Sequence, residues 1–515
     1  MKNIYLVLII TGFFIPFINA QQQVDIPWPT LIDSPWPMSK HDPQGTGRSS
    51  FTGPKTPNVF WTRDMEYGIL SGPVLDQDNN LHFGTNTYLG FSDTSNYFYS
   101  VSSKGGLNWE FRTFEGFPNI SGLLISADST IYFNSTGHYL YALDVNKKLR
   151  WTHQSVGEIN QDLMNIDLQG NVYFVTNDGN LNSIDGTGNI NWIKSYDSGF
   201  WLASPVLSPD GLSIYISGAD SNLYSLDLDG SLRWKFSCGK ASAVPMVDNS
   251  GNIYIISKLD SAGLHSIYPN GTLRWSYNFT YWTNFHIPLW LSPTIDSNGN
   301  IYFPAPTPEQ SKIASVDYNG NFRWEYLFED YDEAIWVPLI CDADGTVYFG
   351  STWGYYYYAL SSEGELLWKL PLDGYQVDNS GAIDSDGTLY IGTHLGSLTT
   401  GQEKTLIAIR DTVSSVVNDD AEVLSYILEQ NYPNPFNPST TIRYSIPESG
   451  EVSIIVYDVL GRKVKTLVDE FKQYGNYEII FNAKDLSSGV YIYRITASNN
   501  GRILFSDSKQ MILLR

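Results

Sequence analysis

The sequence of 515 residues contains little cysteine and little positive charge. Its two cysteines, Cys238 and Cys341, lie far apart, and there is no CxxC pair, so we expect two buried free thiols and no disulfide. The 31 basic against 54 acidic residues give a formal net charge of −23. This balance disfavours nucleic acid, which needs clustered Lys and Arg, and an anionic membrane surface.

The common catalytic motifs are also missing. The sequence has no HExxH, GxSxG or P-loop pattern, and no CxxCH for an attached haem. Most carboxylates stand in turn positions, where Asp is favoured for hydrogen bonds to the backbone. We therefore assign no catalytic residue and no metal ligand.

After residue 20 no segment is long and apolar enough to span a bilayer, and none has sustained helical periodicity. Residues 1–20 combine Lys2, an apolar run and the small Ala20, which is typical of a secretory signal peptide. The Pro-, Ser- and Gly-rich residues 21–57 predict an extended strap over the surface of the protein. We expect an exported protein without a transmembrane anchor.

The abundant residues are those of strands and tight turns, with 43 Gly, 35 Tyr and 15 Trp. A turn followed by a short strand recurs eight times, and seven copies end in a tryptophan roughly 40 to 50 residues after the previous one. The strand signatures are DNNLHF (78–83), DSTIYF (128–133), GNVYF (170–174), GLSIYI (211–216), GNIYI (251–255), GNIYF (299–303), GTVYF (345–349) and GTLYI (387–391).

The eighth repeat ends at residues 406–410 without a tryptophan, whereas Trp61 has no repeat of its own. We infer that the strand around Trp61 completes the eighth repeat and removes an open sheet edge. The pattern predicts an all-β fold, with an eight-bladed β-propeller over residues 58–410 that is closed by an N-terminal strand. The closing tryptophans are predicted to be structural, each filling the gap between neighbouring blades.

The Asp-Gly turns at Asp342 and Asp384 resemble the start of a calcium loop. Such a loop needs a bidentate Glu at its twelfth position, where this sequence has Trp353 and Leu395. Hairpin turns are the better interpretation.

The repeat DxDGxxYxG…LYALDxxGxxxW resembles the quinoprotein-type (PQQ-like) β-propeller superfamily. Its members include quinoprotein alcohol dehydrogenases and a lipoprotein of the outer-membrane protein assembly machine. The segment WPMSKHDPQGTGRS (36–49) is similar to the opening of many exported propellers of this kind. The resemblance implies the fold and leaves the activity open, because the superfamily contains both enzymes and scaffolds.

Beyond a polar linker at 411–427 the composition changes, and residues 428–515 alternate as short strands. This pattern predicts a small immunoglobulin-like β-sandwich. The motifs NYPNPFNPST (431–440), YDVLGRKV (457–464), LSSGVYIYR (486–494) and KQMILLR (509–515) closely resemble the type A sorting domain of the type IX secretion system. The resemblance implies passage from the periplasm across the outer membrane, with that secretion machinery as partner.

Three functions stay open at this point. The first is a non-catalytic binding or scaffold protein, secreted or at the cell surface, with a glycan or protein ligand on the propeller face and no cofactor. The second is a PQQ-dependent dehydrogenase with calcium, although such enzymes typically use a vicinal disulfide that this sequence lacks. The third is a polysaccharide-acting hydrolase or lyase. For the first function, the loops that enter the innermost strands supply aromatic ligand-binding candidates, which are Tyr67, Trp201, Trp282, Trp290, Trp336 and Tyr375.

Overall fold

A computed structural model describes most of the chain in two compact units, Met1–Asp411 and Thr412–Arg515. No helix among the described residues is long and apolar enough to cross a membrane. The described residues are 22–65, 68–69, 71–86, 97–113, 122–135, 138–159, 164–176, 178–196, 204–218, 220–239, 243–257, 263–279, 291–305, 311–328, 335, 337–351, 354–377, 379–395, 404–411, 426–428, 430–431, 434–447, 450–472, 475–484, 486–499 and 502–514. The predicted signal peptide and most of the predicted linker lie outside them.

Every regular element in the described part of the chain is a β-strand, so the all-β prediction is confirmed. In the described part of the first unit the strands form eight antiparallel sheets, numbered here in chain order, and one short two-stranded ribbon. The first sheet consists of β2 (Gly68–Ile69), β3 (Val74–Leu75), β4 (Leu81–Asn86), β5 (Tyr97–Val101) and β6 (Leu107–Arg112), and the second of β7 (Leu123–Ile125), β8 (Thr130–Ser135), β9 (Tyr139–Asp144) and β10 (Leu149–Gln154). The third sheet consists of β11 (Asn165–Ile166), β12 (Val172–Val175), β13 (Asn180–Ile184) and β14 (Ile190–Ser195), and the fourth of β15 (Val206–Leu207), β16 (Ser213–Ser217), β17 (Asn222–Asp227) and β18 (Leu232–Ser237).

The other four sheets repeat the pattern, and the last contains the N-terminal strand β1. The fifth sheet consists of β19 (Met246–Val247), β20 (Ile253–Ser257), β21 (Gly263–Ile267) and β22 (Leu273–Asn278), and the sixth of β23 (Thr294–Ile295), β24 (Ile301–Pro304), β25 (Lys312–Val316) and β26 (Phe322–Leu327). The seventh sheet consists of β27 (Ile340–Cys341), β28 (Val347–Gly350), β29 (Tyr356–Leu360) and β30 (Leu366–Pro371), and the eighth of β32 (Ala382–Ile383), β33 (Leu389–Gly392), β35 (Lys404–Ile409) and β1 (Val59–Met65). The two-stranded ribbon consists of β31 (Tyr375–Gln376) and β34 (His394–Leu395).

Burial changes from strand to strand within a sheet. In the fourth sheet every residue of β16 is buried, whereas β18 alternates between exposed and half-buried positions. A strand buried on both faces must have a packing partner on each side, and an alternating strand faces solvent on one side. The inner strands of each sheet therefore lie between neighbouring sheets, and the fourth strand forms the outer edge.

Seven of the eight tryptophans bond to a turn of the next sheet, and Trp368 bonds to Pro54 of the N-terminal strap. The indole N–H of Trp324 donates to the carbonyl of Ser362, 2.8 Å away, and its ring lies against Gly364 in the same turn. This contact supports the structural interpretation of these residues. The eight bonds run from Trp109 to Val145, Trp151 to Gly186, Trp192 to Leu228, Trp234 to Pro269, Trp275 to Tyr318, Trp324 to Ser362, Trp368 to Pro54 and Trp61 to Ser103.

The N-terminal strand pairs where the missing tryptophan predicted. Strand β1 is antiparallel to β35, with Trp61 opposite Ala408. Buried residues of the first, seventh and eighth sheets, including Ile69, Tyr348 and Ile391, share one hydrophobic cluster. The eighth sheet therefore combines the beginning of the repeats with their end, and it packs against the sheets on either side.

The recurrent aspartates fold the turn between the first and second strands of a sheet. Asp296 Oδ1 accepts N–H bonds from Asn298 and Asn300, and Oδ2 accepts the hydroxyl of Tyr302 at 2.7 Å. Asp342 and Asp384 make the same bonds, with Tyr348 and Tyr390 as hydroxyl donors. Hairpin turns therefore account for these carboxylates.

The N-terminal strap differs from the surface strap that the sequence predicted. Residues 36–51, called here the inner strap, are buried from Trp36 to Ser49, with only Asp42 partly open. They bond to the first strand of seven successive sheets, so those strands surround the segment. The bonds are Leu75 N–H to Trp36 O, Ile125 N–H to Pro37 O, Ser39 N–H to Leu123 O, the Asn165 amide to Pro43 O, Leu207 N–H to Pro43 O, Val247 N–H to Gln44 O, the Thr294 hydroxyl to Thr46 O and Cys341 N–H to Gly47 O.

The described residues of the second unit form seven strands in two sheets that share one buried core, in agreement with the predicted sandwich. Ile442 comes from one sheet, and Ile454 and Met511 come from the other. The strands are β36 (Ile427–Leu428), β37 (Ser439–Ile446) and β40 (Gly475–Asn482) in the first sheet, and β39 (Lys463–Lys472), β38 (Gly450–Asp458), β41 (Gly489–Asn499) and β42 (Arg502–Leu513) in the second.

The tryptophan–glycine contact gives a test of what joins the sheets. An added Cβ at Gly364 would lie 2.5 Å from the Trp324 ring, whereas at Gly170 it would meet no atom within 4 Å, and both glycines have positive φ. We expect Gly170→Ala to cost about 1 kcal/mol of backbone strain. Gly364→Ala should cost about 1–3 kcal/mol more, because the ring must also move. Urea denaturation measures both variants, and equal losses would contradict this role of the contact.

Candidate functional site

Five of the six predicted ligand-binding residues, Tyr67, Trp201, Trp282, Trp290 and Trp336, lie outside the described residues and stay predictions. Tyr375 is described. It is half-buried, pairs with Leu395 and packs against the cluster shared by the first, seventh and eighth sheets.

The described part of the chain has a cavity elsewhere, beside the inner strap. Its volume is about 930 Å³. It is bordered by turns that follow the innermost strands, such as those at Asn79, Ala127 and Ser385. We call it the mouth cavity. Its lining residues are Asp25, Ile26, Pro27, Trp28, Pro29, Leu31, Ile32, Asp33, Ser34, Pro35, Pro37, His41, Asp42, Pro43, Ser50, Phe51, Gln77, Asn79, Ala127 and Ser385.

Asp42 is held in place within the mouth cavity by a tight turn of the inner strap. Its Oδ1 accepts the N–H of Thr46 at 3.0 Å, and its Oδ2 accepts the Thr46 hydroxyl. Burial raises the pKa of Asp42, but the His41 imidazole and the two Thr46 donors outweigh burial and hold the pKa below its usual value. Asp42 is therefore ionised at neutral pH.

His41 lies beside Asp42 and is only 8% exposed. Its ring meets Trp36 edge-to-face, with centroids 4.9 Å apart. Its Nδ1 lies 3.5 Å from Asp42 Oδ2 and makes no hydrogen bond with good geometry among the described residues. His41 and the preceding Lys40 both have positive φ, which costs energy for residues with a side chain.

Trp28 and Asp25 fix the wall of the mouth cavity to the sheets and to the inner strap. The Trp28 indole donates to the carbonyl of Ile166 at 2.8 Å. Asp25 accepts from the buried guanidinium of Arg48 at 3.2 Å. The described lining contains three aspartates and no Lys or Arg. The cavity therefore combines an apolar wall with an acidic character.

Lys40 is the most deeply buried cation in the inner strap, at 1% exposure. Its Nζ donates to the carbonyl of Leu339 at 3.0 Å. Burial lowers the pKa of Lys40 from 10.5 to about 7, and the nearby Cys341 and Asp42 offset only part of this effect. A side chain added at Gly47 would approach both Lys40 Nζ and Leu339 O, so the glycine makes this contact possible.

Both cysteines are free and buried, as predicted. The Cys341 thiol donates to the carbonyl of Ile295 at 3.4 Å, and Cys238 lies just after β18. Burial raises the pKa of each thiol to about 12. Neither is a thiolate at neutral pH, so neither has the reactive form of a nucleophile.

The sorting-domain motifs lie together in the second unit. Phe436 is buried, and its backbone bonds to Ile512 and Leu514 of the C-terminal strand. The Asn434 side chain also accepts the N–H of Ile512 at 2.8 Å. These bonds join residues of the NYPNPFNPST motif to the strand that carries the terminal KQMILLR motif.

His41 and Asp42 were not among the predicted site residues. The only signal for them was the resemblance of residues 36–49 to the opening of exported propellers. Their role in lining a cavity depends on contacts with turns far along the chain, such as those at Asn79 and Ser385.

Comparison with known proteins agrees with both resemblances seen in the sequence. Residues 54–276 match the family described as outer membrane protein assembly factor BamB, and residues 430–504 match the secretion system C-terminal sorting domain. No curated protein matches the chain. The chain therefore carries PQQ-like, BamB-type repeats followed by a type IX sorting domain.

Among solved structures, BamB from Moraxella catarrhalis is similar to this chain at 16% identity, with 69% of this chain and 98% of that chain covered and a TM-score of 0.51. A streptogramin B lyase is similar at 13% identity, with 56% and 94% covered and a TM-score of 0.42. At these identities the likeness to BamB shows a propeller fold and no shared activity.

The buried Lys40 predicts an unusual pH dependence of stability. Its pKa is about 7 in the folded protein and 10.5 as the ordinary value, so folding releases a proton between these pH values. The cost of burying the charge is fully present below pH 7 and disappears as the pH rises, so the contribution of Lys40 to stability should increase across this window. Lys40→Met should remove this increase, which amounts to about 1.4 kcal/mol for each unit of pKa shift.

Urea denaturation from about pH 6 to pH 10 would compare the wild type with Lys40→Met. Lys235→Met is the matched control, because Lys235 is exposed on β18. The control should keep the slope of the wild type. An identical slope in Lys40→Met would show that the folded protein buries no charge at this position.

Proposed function

We propose that the protein is an exported, non-catalytic binding or scaffold protein, located at the cell surface or released outside the cell. The match of residues 430–504 to a sorting domain is the observation that carries the export part of this proposal. The sandwich has its own buried core, so it can be recognised as a separate folded unit.

The proposed route starts with the signal peptide at 1–20 and passes through the periplasm. Residues 428–515 are then read by the type IX secretion machinery, which moves the passenger across the outer membrane. The terminal motif held by Phe436 and Asn434 gives this machinery one compact surface on which several motifs are presented together.

The passenger in this proposal is a closed ring of eight blades. Seven of the tryptophan bonds and the pairing of β1 with β35 support it, because these bonds connect the first seven sheets in succession and the eighth sheet to the first. Such a ring is a rigid support for binding residues, which are usually carried on loops and turns.

A non-catalytic role is supported by the state of the reactive groups in the described residues. Asp42 is hydrogen-bonded to Thr46 and ionised, so it holds no proton to donate near neutral pH. Asp25 is paired with Arg48, and both cysteines are buried thiols. These groups suit recognition of a ligand better than proton transfer or nucleophilic attack.

Removal of residues 428–515 tests the export route. We expect the truncated protein to fold, because the first unit has buried clusters of its own, and to accumulate in the periplasm. Cell fractionation with resistance to trypsin measures both properties. A fusion of residues 1–20 and 428–515 to an unrelated exported reporter is the control and should reach the outside. Release of the truncated protein at the level of the full chain would contradict the assignment.

A glycan and peptide array probed with residues 21–427 tests the binding role and locates its site. If the predicted aromatic loops bind the ligand, Trp201→Ala with Trp336→Ala should weaken a hit by about tenfold or more, as stacking on a ring contributes strongly to binding. Asp64→Asn, on the exposed outer strand β1, is the control. A hit that is unchanged by the double variant would remove those loops from the site.

A further inference from the structure

We propose that the mouth cavity binds an organic cation, an ammonium or guanidinium group on a short apolar stem. The inference rests on the proposed binding function and names the ligand class for one site. It depends on three observations, which are the charge of the lining, its apolar wall and the kind of polar atom left without a partner.

The charge in the cavity has one sign. Its described lining has three aspartates and no Lys or Arg. Arg48 reaches only Asp25, so Asp33 and Asp42 retain their charge. Asp33 is exposed, whereas the side chain of Asp42 is only 13% exposed. A cleft with carboxylates and low-dielectric walls concentrates the field that attracts a cation.

The apolar wall suits the stem of such a ligand. Pro27, Pro29 and Pro35 precede the inner strap in the chain, and Trp28 and Phe51 add aromatic rings. Proline and aromatic walls offer rigid apolar surface, and an aromatic face attracts a cation directly. The volume of about 930 Å³ exceeds that of a single ion and accommodates a small organic molecule.

The polar atoms without a partner are acceptors. Among the lining residues, His41 Nδ1 and Asn79 Oδ1 are buried and make no hydrogen bond in the described structure. The Asn79 amide donates to Ser385, which leaves its carbonyl oxygen as the free group. A bound cation between Asp42 and His41 would favour the tautomer with the proton on Nε2, in which Nδ1 is an acceptor as well. A ligand rich in N–H donors would satisfy both atoms.

One donor group can serve the two acceptors beside each other. His41 Nδ1 and Asp42 Oδ2 are 3.5 Å apart, and an ammonium carries three N–H donors. Neutral sugars carry donors and acceptors in equal measure and leave the charge of Asp42 without a counterion. The negative charge of the site therefore favours the cation over a sugar.

Calorimetric titration of the full mature chain tests the proposal. The cationic probes are cadaverine and agmatine, and pentanediol is the neutral probe with the same stem as cadaverine. We expect both cations to bind at least about tenfold more tightly than the diol. Asp33→Asn and Asp42→Asn should each weaken the cations by about tenfold, and Asp64→Asn should have no effect.

Equal binding of pentanediol and cadaverine would overturn the proposal. So would unchanged cation binding in both cavity variants, or no detectable binding of either cation at about 10 mM. If Asp42→Asn fails to fold, because Asp42 organises the turn with Thr46, the exposed Asp33→Asn decides the result. Array hits that persist when the cations do not bind would leave the binding function standing and remove only this ligand class.

Discussion

The contact between a tryptophan of one sheet and a turn of the next is the interaction on which the passenger depends. No single sheet can bury its own faces, because its inner strands are apolar on both sides. Each indole therefore supplies two things at once. Its ring covers the neighbouring turn, and its N–H satisfies a carbonyl there, as in the bond from Trp324 to Ser362. Six of these turns have a glycine against the ring, as at Gly364, whereas the turn that meets Trp109 has Lys147 with positive φ in its place.

The first strands of the sheets are stabilised in a different way, through hydrogen bonds to the inner strap. The first strands of seven sheets are short, and their backbone groups face a region that side chains alone would leave unsatisfied. The inner strap supplies the missing partners with its own backbone, from Trp36 to Gly47. This polar arrangement explains why the segment tolerates Lys40 and Asp42 in a buried position, since both are hydrogen-bonded there. The mouth cavity lies between the inner strap and residues 25–35, which precede it in the chain and do not fill the space beside it.

The sequence predicted what depends on local pattern and repetition. The turn-and-strand signature, the spacing of the tryptophans and the unmatched Trp61 were sufficient to pair β1 with β35. The Asp-Gly turns were also predicted, because an aspartate bonds to the backbone only two and four residues away. The position of the inner strap could not be predicted. Its Pro, Gly and Ser content is that of a surface loop, and its burial depends on bonds such as Lys40 to Leu339, which join residues distant in the chain. His41 and Asp42 were missed for the same reason.

The pairing of β1 with β35 also has a consequence for the order in which the chain acquires its structure. The eighth sheet contains residue 59 and residue 409, so it cannot form until nearly the whole passenger has been synthesised and released. Contacts of such high sequence separation form late, because the intervening chain must be ordered before they gain free energy. Strand β1 therefore has no pairing partner while the other sheets form, and its backbone hydrogen-bonding groups stay exposed. Any accessory factor that keeps this chain from aggregating is needed most for its earliest strand, and for the longest time.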